Sequence, residues 1–336
     1  MSDTFPDLVD IFNSLPVPAP DAGMGRFCAQ AISGFPMCAV GKDASGLPAL
    51  LIEADNVSSV SSSPLVLESL SVIHLVNCRV RADGEESNRT LSIVRCTGAD
   101  RAIHEYFLRC LHPIVAALPV RPSRDQVNQS VERLVDLFRR MADAPRKAIA
   151  GLWAELLLIS RSSNPSRLLA AWHAVPEERF DFADGQYRVE VKASLGALRT
   201  HHFALEQLRP TGDIVVAIAS VLMDRSEGGI SITELVDAIR STIGEPELLI
   251  RLDNIVASTL GREWRAGQQV KFDCQVAIDS FRLIDARTIP SVALPLPAEV
   301  TSVHFRVDLT RHSMECPHAL LRESELFLAI AQAPAS

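Results

Sequence analysis

The sequence predicts an α/β (α+β) protein, with a β-rich N-terminal segment followed by a mixed sheet flanked by helices. Three observations predict it. Between residues 35 and 97, short apolar or alternating runs are split by Gly, Asp, Asn and Ser clusters, the pattern of small strands. Further on, helix-start signals alternate with strand patterns, including capping boxes at Ser123-Arg124-Asp125-Gln126 and Ser231-Ile232-Thr233-Glu234. Between those boxes lies an alternating stretch, Arg179 to Ser194, punctuated by Asp184-Gly185. A chain of 336 residues that is 47% hydrophobic is long enough for two domains. Pro119 to Pro122 marks the boundary, giving a β-rich accessory domain over 1–120 and a second domain over 121–336.

Taken in order, residues 1 to about 27 read as a mixed opening with a short helix from Leu8 to Leu15 and a linker at Pro16, Pro18 and Pro20. Strands are predicted at Met37–Val40, Pro48–Ile52, Leu65–Leu70, Val72–Val80 and Thr90–Cys96, forming a small antiparallel sheet. A helix over Asp100–Leu118 carries Ile103, Phe107, Leu111, Ile114 and Val115 at helical spacing and covers one sheet face. Nothing in this segment points to catalysis, and His74, His104 and His112 are isolated. The Ser123 box opens a helix with Val127, Val131, Leu134, Val135 and Phe138 on one face. Pro145 starts the next helix, whose core from Ile149 to Ile159 is apolar nearly all round except for Glu155. Such a helix is buried, so its carboxylate must be paired, protonated or metal-bound. Gly151 is read as leaving room for a neighbouring hairpin. A short helix, Ser166 to His173, precedes the alternating stretch. After it, Phe203–Leu208 starts a helix, Asp213–Met223 is a strand buried on both faces beside the Lys192 strand, and helices span Ser231–Ile243 and Glu245–Leu260, the latter stopped by Gly261. Alternation at Val270–Ala286 and Val300–Leu309 predicts further strands, and Leu320–Ala331 a terminal helix.

The stretch that carries chemistry is Arg179 to Ser194, read as a hairpin with Asp184-Gly185 as its two-residue turn. Phe180, Phe182, Val189 and Val191 share one face, while Asp181, Arg188, Glu190 and Lys192 share the other. That turn sets Asp181 opposite Arg188 and diagonal to Glu190, about 7 Å away. Two carboxylates at that spacing suit a hard cation such as Mg²⁺, which takes one or two carboxylates plus water and substrate phosphate. Lys192, two residues beyond Glu190, adds a compact ammonium beside them. Lysine is rare here, present only at 42, 147, 192 and 271, in a chain that otherwise uses arginine for positive charge. The plainer reading of such a strand is a solvated face with a cross-strand ion pair.

Asp181, Glu190 and Lys192 form an Asp-x(n)-Glu-x-Lys pattern that resembles the PD-(D/E)XK nuclease superfamily. The likeness extends to Gly151-Leu152-Trp153-Ala154-Glu155-Leu156 and to Arg199, His201, Leu205, Glu206, Gln207 and Leu208, covers about 145 to 225, and is to an uncharacterised bacterial family of that superfamily. The resemblance implies a restriction endonuclease-like core with a mixed central sheet flanked by helices. It implies hydrolysis of a phosphodiester, with DNA as substrate and Mg²⁺ as cofactor, for which Mn²⁺ can substitute. Asp181 and Glu190 would be metal ligands, Lys192 the catalytic amine, Glu155 an auxiliary acid and Gln207 a polar residue near substrate, with His201 and His202 weaker candidates. It also implies partner proteins of a restriction-modification or other anti-phage system; a homodimer is left open. A second reading keeps the nuclease fold as a non-catalytic scaffold that binds DNA or protein.

Net charge of −8 argues against a constitutive nucleic-acid binder but allows a local positive cleft. Arg139, Arg140, Arg146 and Lys147 form the densest basic stretch, read first as the solvated end of a helix. The seven cysteines are scattered with no Cys-x-x-Cys pair, which predicts reduced, mostly buried thiols. The longest apolar run, near Ile214–Met223, is half a bilayer span, so no membrane segment is expected and the cytoplasm is the default location. His312, Glu315, Cys316 and His318 lack metal-ligand spacing and read as a loop.

Overall fold

The structure, a computed structural model, describes residues 7–19, 25–53, 64–82, 84–119, 122–141, 149–173, 179–297, 299–300, 302–312 and 321–331. Pro145, Arg146, Lys147, Glu315, Cys316 and His318 lie outside them. The chain divides into two compact units, one formed by Met1–Asp143 with Glu245–Asp253 and the other by Ala144–Gly244 with Asn254–Ser336.

The first unit opens with helix α1 (Leu8–Ser14), capped by Asp7, and continues into strands β1 (Gly25–Ile32), β2 (Phe35–Asp43), β3 (Pro48–Glu53), β4 (Leu65–Val66), β5 (Leu70–Ala82) and β6 (Glu85–Cys96). The strand order is β1-β2-β3-β6-β5-β4, and β1 also pairs with β5, so five strands close into a ring. This extends the expected small antiparallel sheet: β1 begins at the end of the stretch read as a mixed opening and runs through residues given no element, and its pairing with β5 is parallel. A ring of five strands cannot alternate direction throughout, so one parallel pair is required for closure. The bend that permits it is at Leu75, whose φ is 56°, within a bulge between Ile73 and Val76. Before the bulge β5 pairs with β4, and after it with β1. Phe27, Ala29, Ala49, Leu51, Cys78, Val80, Leu91 and Ile93 form the buried cluster of this sheet. Helix α2 (Arg101–Ala116) follows, with Asp100 as its cap, and then α3 (Arg124–Arg140) with the Ser123–Gln126 capping box complete. Arg139 and Arg140 end α3, and Arg139 pairs with Asp136 at 3.1 Å, both exposed. Cys28, Cys38, Cys78, Cys96 and Cys110 are buried and in no disulfide, and burial pushes Cys38 up to about 12.

The second unit holds α4 (Ile149–Arg161), α5 (Pro165–Ala171), strands β7 (Phe182–Asp184), β8 (Tyr187–Leu195) and β9 (Thr200–Ala204), α6 (Leu205–Leu208), β10 (Val215–Met223), β11 (Arg225–Ser231) and α7 (Ile232–Thr242). After α8 (Pro246–Leu260) come α9 (Trp264–Gln269), β12 (Lys271–Phe272), α10 (Cys274–Asp279), β13 (Arg282–Asp285), β14 (His304–Asp308) and α11 (Glu325–Ala331). Its main sheet runs β13-β10-β8-β7. The central pair, β8 with β10, is parallel, and Lys192 lies across from Ser220. The outer pairings are antiparallel, so the sheet is mixed as the sequence predicts. Leu152 to Ile159 of α4 are all buried, Glu155 included, as its all-round apolarity predicts.

Three local expectations change. Phe203–Leu208 is a strand end plus a single helical turn, because Thr200-His201-His202-Phe203 alternates, with His201 and Phe203 buried, and pairs with β14. Residues 274–279 are helical because the Asp273 side chain accepts from Val276 N at 3.0 Å, an N-cap that outcompetes the alternating pattern. Gly151 makes no room for the hairpin: a Cβ there would meet nothing within 4 Å.

Candidate metal centre and lysine cluster

The hairpin that carries the acids turns one residue later than predicted, which moves its pairing by two residues. Phe182 pairs with Val189, Ala183 with Arg188 and Asp184 with Tyr187, so the turn residues are Gly185 and Gln186. The physical reason lies in backbone sterics. Only Gly185 in this turn has positive φ, 55°, whereas a turn on Asp184-Gly185 of the I′ kind requires it at Asp184 as well. The shift sets Asp181 level with Glu190, where the predicted turn had Arg188. Asp181 also bends to the strand itself, its Oδ2 accepting from Val191 N at 2.7 Å. One carboxylate thereby caps the backbone between Glu190 and Lys192.

On one side of that cap stands a group of three possible ligands. Glu155, His173 and Asp181 each place a ligand atom within 4.8 Å of the others. Glu155 is 3% and Asp181 5% exposed. Trp172 organises the group. Its backbone bridges to Phe182, and its indole Nε1 donates to Glu155 Oε2 at 2.8 Å. The next residue, His173, donates its backbone N to Asp181 O at 2.9 Å and its Nδ1 to the same oxygen at 3.1 Å. A carbonyl only accepts, so Nδ1 donates to it, and the same nitrogen lies 3.9 Å from Asp181 Oδ1. His173 was read from sequence as the end of a helix; α5 stops at Ala171 and leaves it extended. The available signal was a Trp-His pair just past a short helix, eight residues before Asp181.

On the other side of the cap, Lys192 Nζ donates to Glu190 Oε1 at 2.7 Å and to Gln207 Oε1 at 3.3 Å, and it stands 5.2 Å from the Phe203 ring centroid. Gln207 Oε1 also accepts from Ala204 N at 3.1 Å, and its Nε2 donates to Arg179 O at 3.4 Å. The structure therefore brings Lys192, Glu190 and Gln207 together. It does not bring Glu190 into the group of Asp181, Glu155 and His173.

Behind Lys192 the sheet is polar and buried. His201 Nε2 meets Ser220 Oγ at 2.6 Å and its Nδ1 meets Ser194 Oγ at 3.1 Å. Arg199 donates to Ser220 O at 2.9 Å and Oγ at 2.6 Å, and to Ser280 O. His201 thus sits in the core, and His202 is exposed on the opposite face of β9. Burial, with the Arg199, Lys192 and His202 charges adding to it, pushes His201 from its ordinary 6.5 down to about 3. A histidine held neutral in the fold favours the unfolded chain once that chain can take a proton. Its contribution is intact above 6.5 and is lost as pH falls from 6.5 toward 3. The expected cost is roughly 1.4 kcal/mol per pH unit, about 2 kcal/mol between pH 6.5 and 5. Urea unfolding of wild type and His201→Gln at both pH values checks this, and the variant should show the shallower fall.

A mixed sheet whose central parallel pair carries Glu-x-Lys, faced by a helix that delivers a buried glutamate, has the architecture of a PD-(D/E)XK nuclease core. A family model described as "Putative PD-(D/E)XK family member (DUF4420)" matches residues 13–310, and the chain belongs to that family. No curated protein and no solved structure matches the chain. Among the described residues, no helix is long and apolar enough to cross a membrane. The other grouping singled out in the sequence, around His312, has only that histidine among the described residues, where it meets Thr288 Oγ1 at 3.2 Å.

Proposed function

We propose that this protein is a divalent-cation-dependent phosphodiesterase acting on DNA. The observation that carries the reading is the single carboxylate of Asp181, which joins the buried Glu155 and its half-buried neighbour His173 to the strand bearing Glu190 and Lys192. Two buried carboxylates this close are both ionised only with positive charge between them and otherwise share a proton, and a pair of carboxylates is a donor set that fits a divalent ion. When bound, such an ion supplies Lewis acidity at a phosphoryl oxygen and an activated water as nucleophile. Asp181 and Glu155 would hold it, while Glu190 is engaged by Lys192 at 2.7 Å. Lys192, steered by Glu190 and Gln207, would turn its one remaining N–H to a phosphate oxygen as negative charge grows there. Gln207 positions that ammonium, since its own amide is tied to Ala204 N and Arg179 O. Mg²⁺ is the default ion for carboxylate and phosphate chemistry, with Mn²⁺ as substitute. A place in a restriction-modification or anti-phage system, with partner proteins from it, follows from the family's kind of chemistry.

A plasmid-nicking assay tests the reading. Conversion of supercoiled DNA to open-circle or linear form with Mg²⁺ or Mn²⁺, abolished by EDTA, is the expected result. Intact plasmid under every metal, from a protein that binds the metal at Asp181, would favour a non-catalytic scaffold instead.

A further inference from the structure

Resting on the reading of the substrate as DNA, we propose that the two-stranded ribbon of β9 and β14 reads base sequence in the major groove, with Arg306 as its guanine contact. The ribbon pairs His304–Asp308 with Thr200–Ala204 in antiparallel register and forms a sheet of its own. Its two faces differ. Phe203, Phe305 and Val307 pack into a buried cluster of this unit, while His202, His304, Arg306 and Asp308 are exposed on the other side. Arg306 lies directly across from His202. Among the described residues, no hydrogen bond or ion pair engages Arg306, His202 or His304.

The ribbon is pinned at both ends, as a reading element must be. Leu309 N donates to Arg199 O at 2.8 Å and Arg199 N to Thr310 Oγ1 at 2.9 Å, closing one end. Leu205 N donates to Val303 O at 2.9 Å and closes the other. Ser194 Oγ donates to Thr200 O at 3.0 Å, which ties the ribbon to β8 two residues past Lys192. An open groove of about 740 Å³ lies here, lined by Ser194, Leu195 and Leu198 and by Thr200, Arg306 and Asp308. Leu195 and Leu198 are 57% and 63% exposed, apolar surface that a duplex seated there would cover. The groove thus connects the strand that carries the lysine to the outer face of the ribbon.

Dimensions and chemistry then select base edges. The major groove is about 12 Å wide and admits a two-stranded ribbon, whose strands lie about 4.8 Å apart. Side chains on one face of a strand recur every two residues, about 6.8 Å, close to two base-pair steps. His304 and Arg306 have that spacing on β14. A surface that only gripped phosphates would be uniformly cationic, and Asp308 would be repelled by them. Base edges suit the mixture. A guanidinium gives two parallel bonds to guanine O6 and N7, and a carboxylate accepts from cytosine N4. Thr310 N donates to Asp308 Oδ1 at 2.9 Å and so orients that carboxylate.

The test is selection of bound duplexes from a random pool by the full chain in EDTA, where cleavage plays no part, followed by anisotropy titration of the selected duplex. Wild type should enrich a motif that contains guanine. Arg306→Ala should weaken binding to that duplex by about tenfold or more and lose the preference for that guanine, while affinity for unrelated duplexes changes less than about threefold. His202→Ala should relax a neighbouring position. Arg101→Ala, which removes an exposed arginine of the other unit, should change nothing. The same motif enriched by Arg306→Ala, or no motif enriched by wild type, would overturn the role of the ribbon while leaving metal-dependent cleavage standing. A wild type that neither binds duplex in EDTA nor nicks plasmid with Mg²⁺ or Mn²⁺ would overturn both. Arg306 and His202 are exposed, so their replacement leaves the core intact.

Discussion

Lys192→Ala is expected to lower the rate of DNA cleavage by about 10²–10³-fold while the metal still binds, the loss typical of one aligned donor to developing charge. The lysine has no surrogate here. Phe203 floors its ammonium, and Glu190 and Gln207 hold it on two sides. Stability is the competing explanation and must be separated. Glu190 is 7% exposed, and an unpaired buried carboxylate destabilises a fold by several kcal/mol. Lys192→Arg keeps a cation beside Glu190 but replaces a compact point charge with a planar fork that cannot occupy the same space over Phe203. It should melt near wild type and remain nearly inactive in single-turnover cleavage. An arginine variant with wild-type rate would remove the specific amine from the mechanism.

Asp181→Asn is expected to weaken divalent-metal affinity by more than about 100-fold, beyond the loss usual for groups that only orient a ligand. The asparagine oxygen can still accept from Val191 N, so the cap on β8 survives the change. What disappears is the charge between Glu155, His173 and the strand. Calorimetric titration of wild type and variant reads this directly, and unchanged affinity would place the ion elsewhere. Glu190→Gln should cost less affinity, because Glu190 is committed first to Lys192 at 2.7 Å.

Much of this arrangement was legible in the sequence, for reasons specific to certain residues. Glu155 stood out because a carboxylate inside an apolar helix has few outlets, and it proved to be buried against Trp172. Continuous apolarity from Val215 to Met223 marked a strand covered on both faces, and it lies beside the Lys192 strand. Alternation in Tyr187–Leu195 fixed the faces of β8 but left the turn open by one residue, because Asp184-Gly185 and Gly185-Gln186 are both chemically acceptable turns. Only the φ of Gly185 decided it. His173 escaped notice because its role depends on a backbone bridge, Trp172 to Phe182, that no local pattern encodes. β1 was missed for a similar reason, since its parallel partner β5 lies some fifty residues away in sequence. The helical turn at 274–279 was lost to an alternating pattern that a single capping aspartate overrides.

The central claim is that one cation is shared by Asp181 and Glu155 beside Lys192. Crystals grown with Mn²⁺ and measured for anomalous scattering test it most directly. The account predicts a single strong peak about 2.1–2.2 Å from an oxygen of Asp181 and an oxygen of Glu155. A peak at another group of residues, or Mn²⁺-grown crystals with no peak between these two side chains, would contradict it.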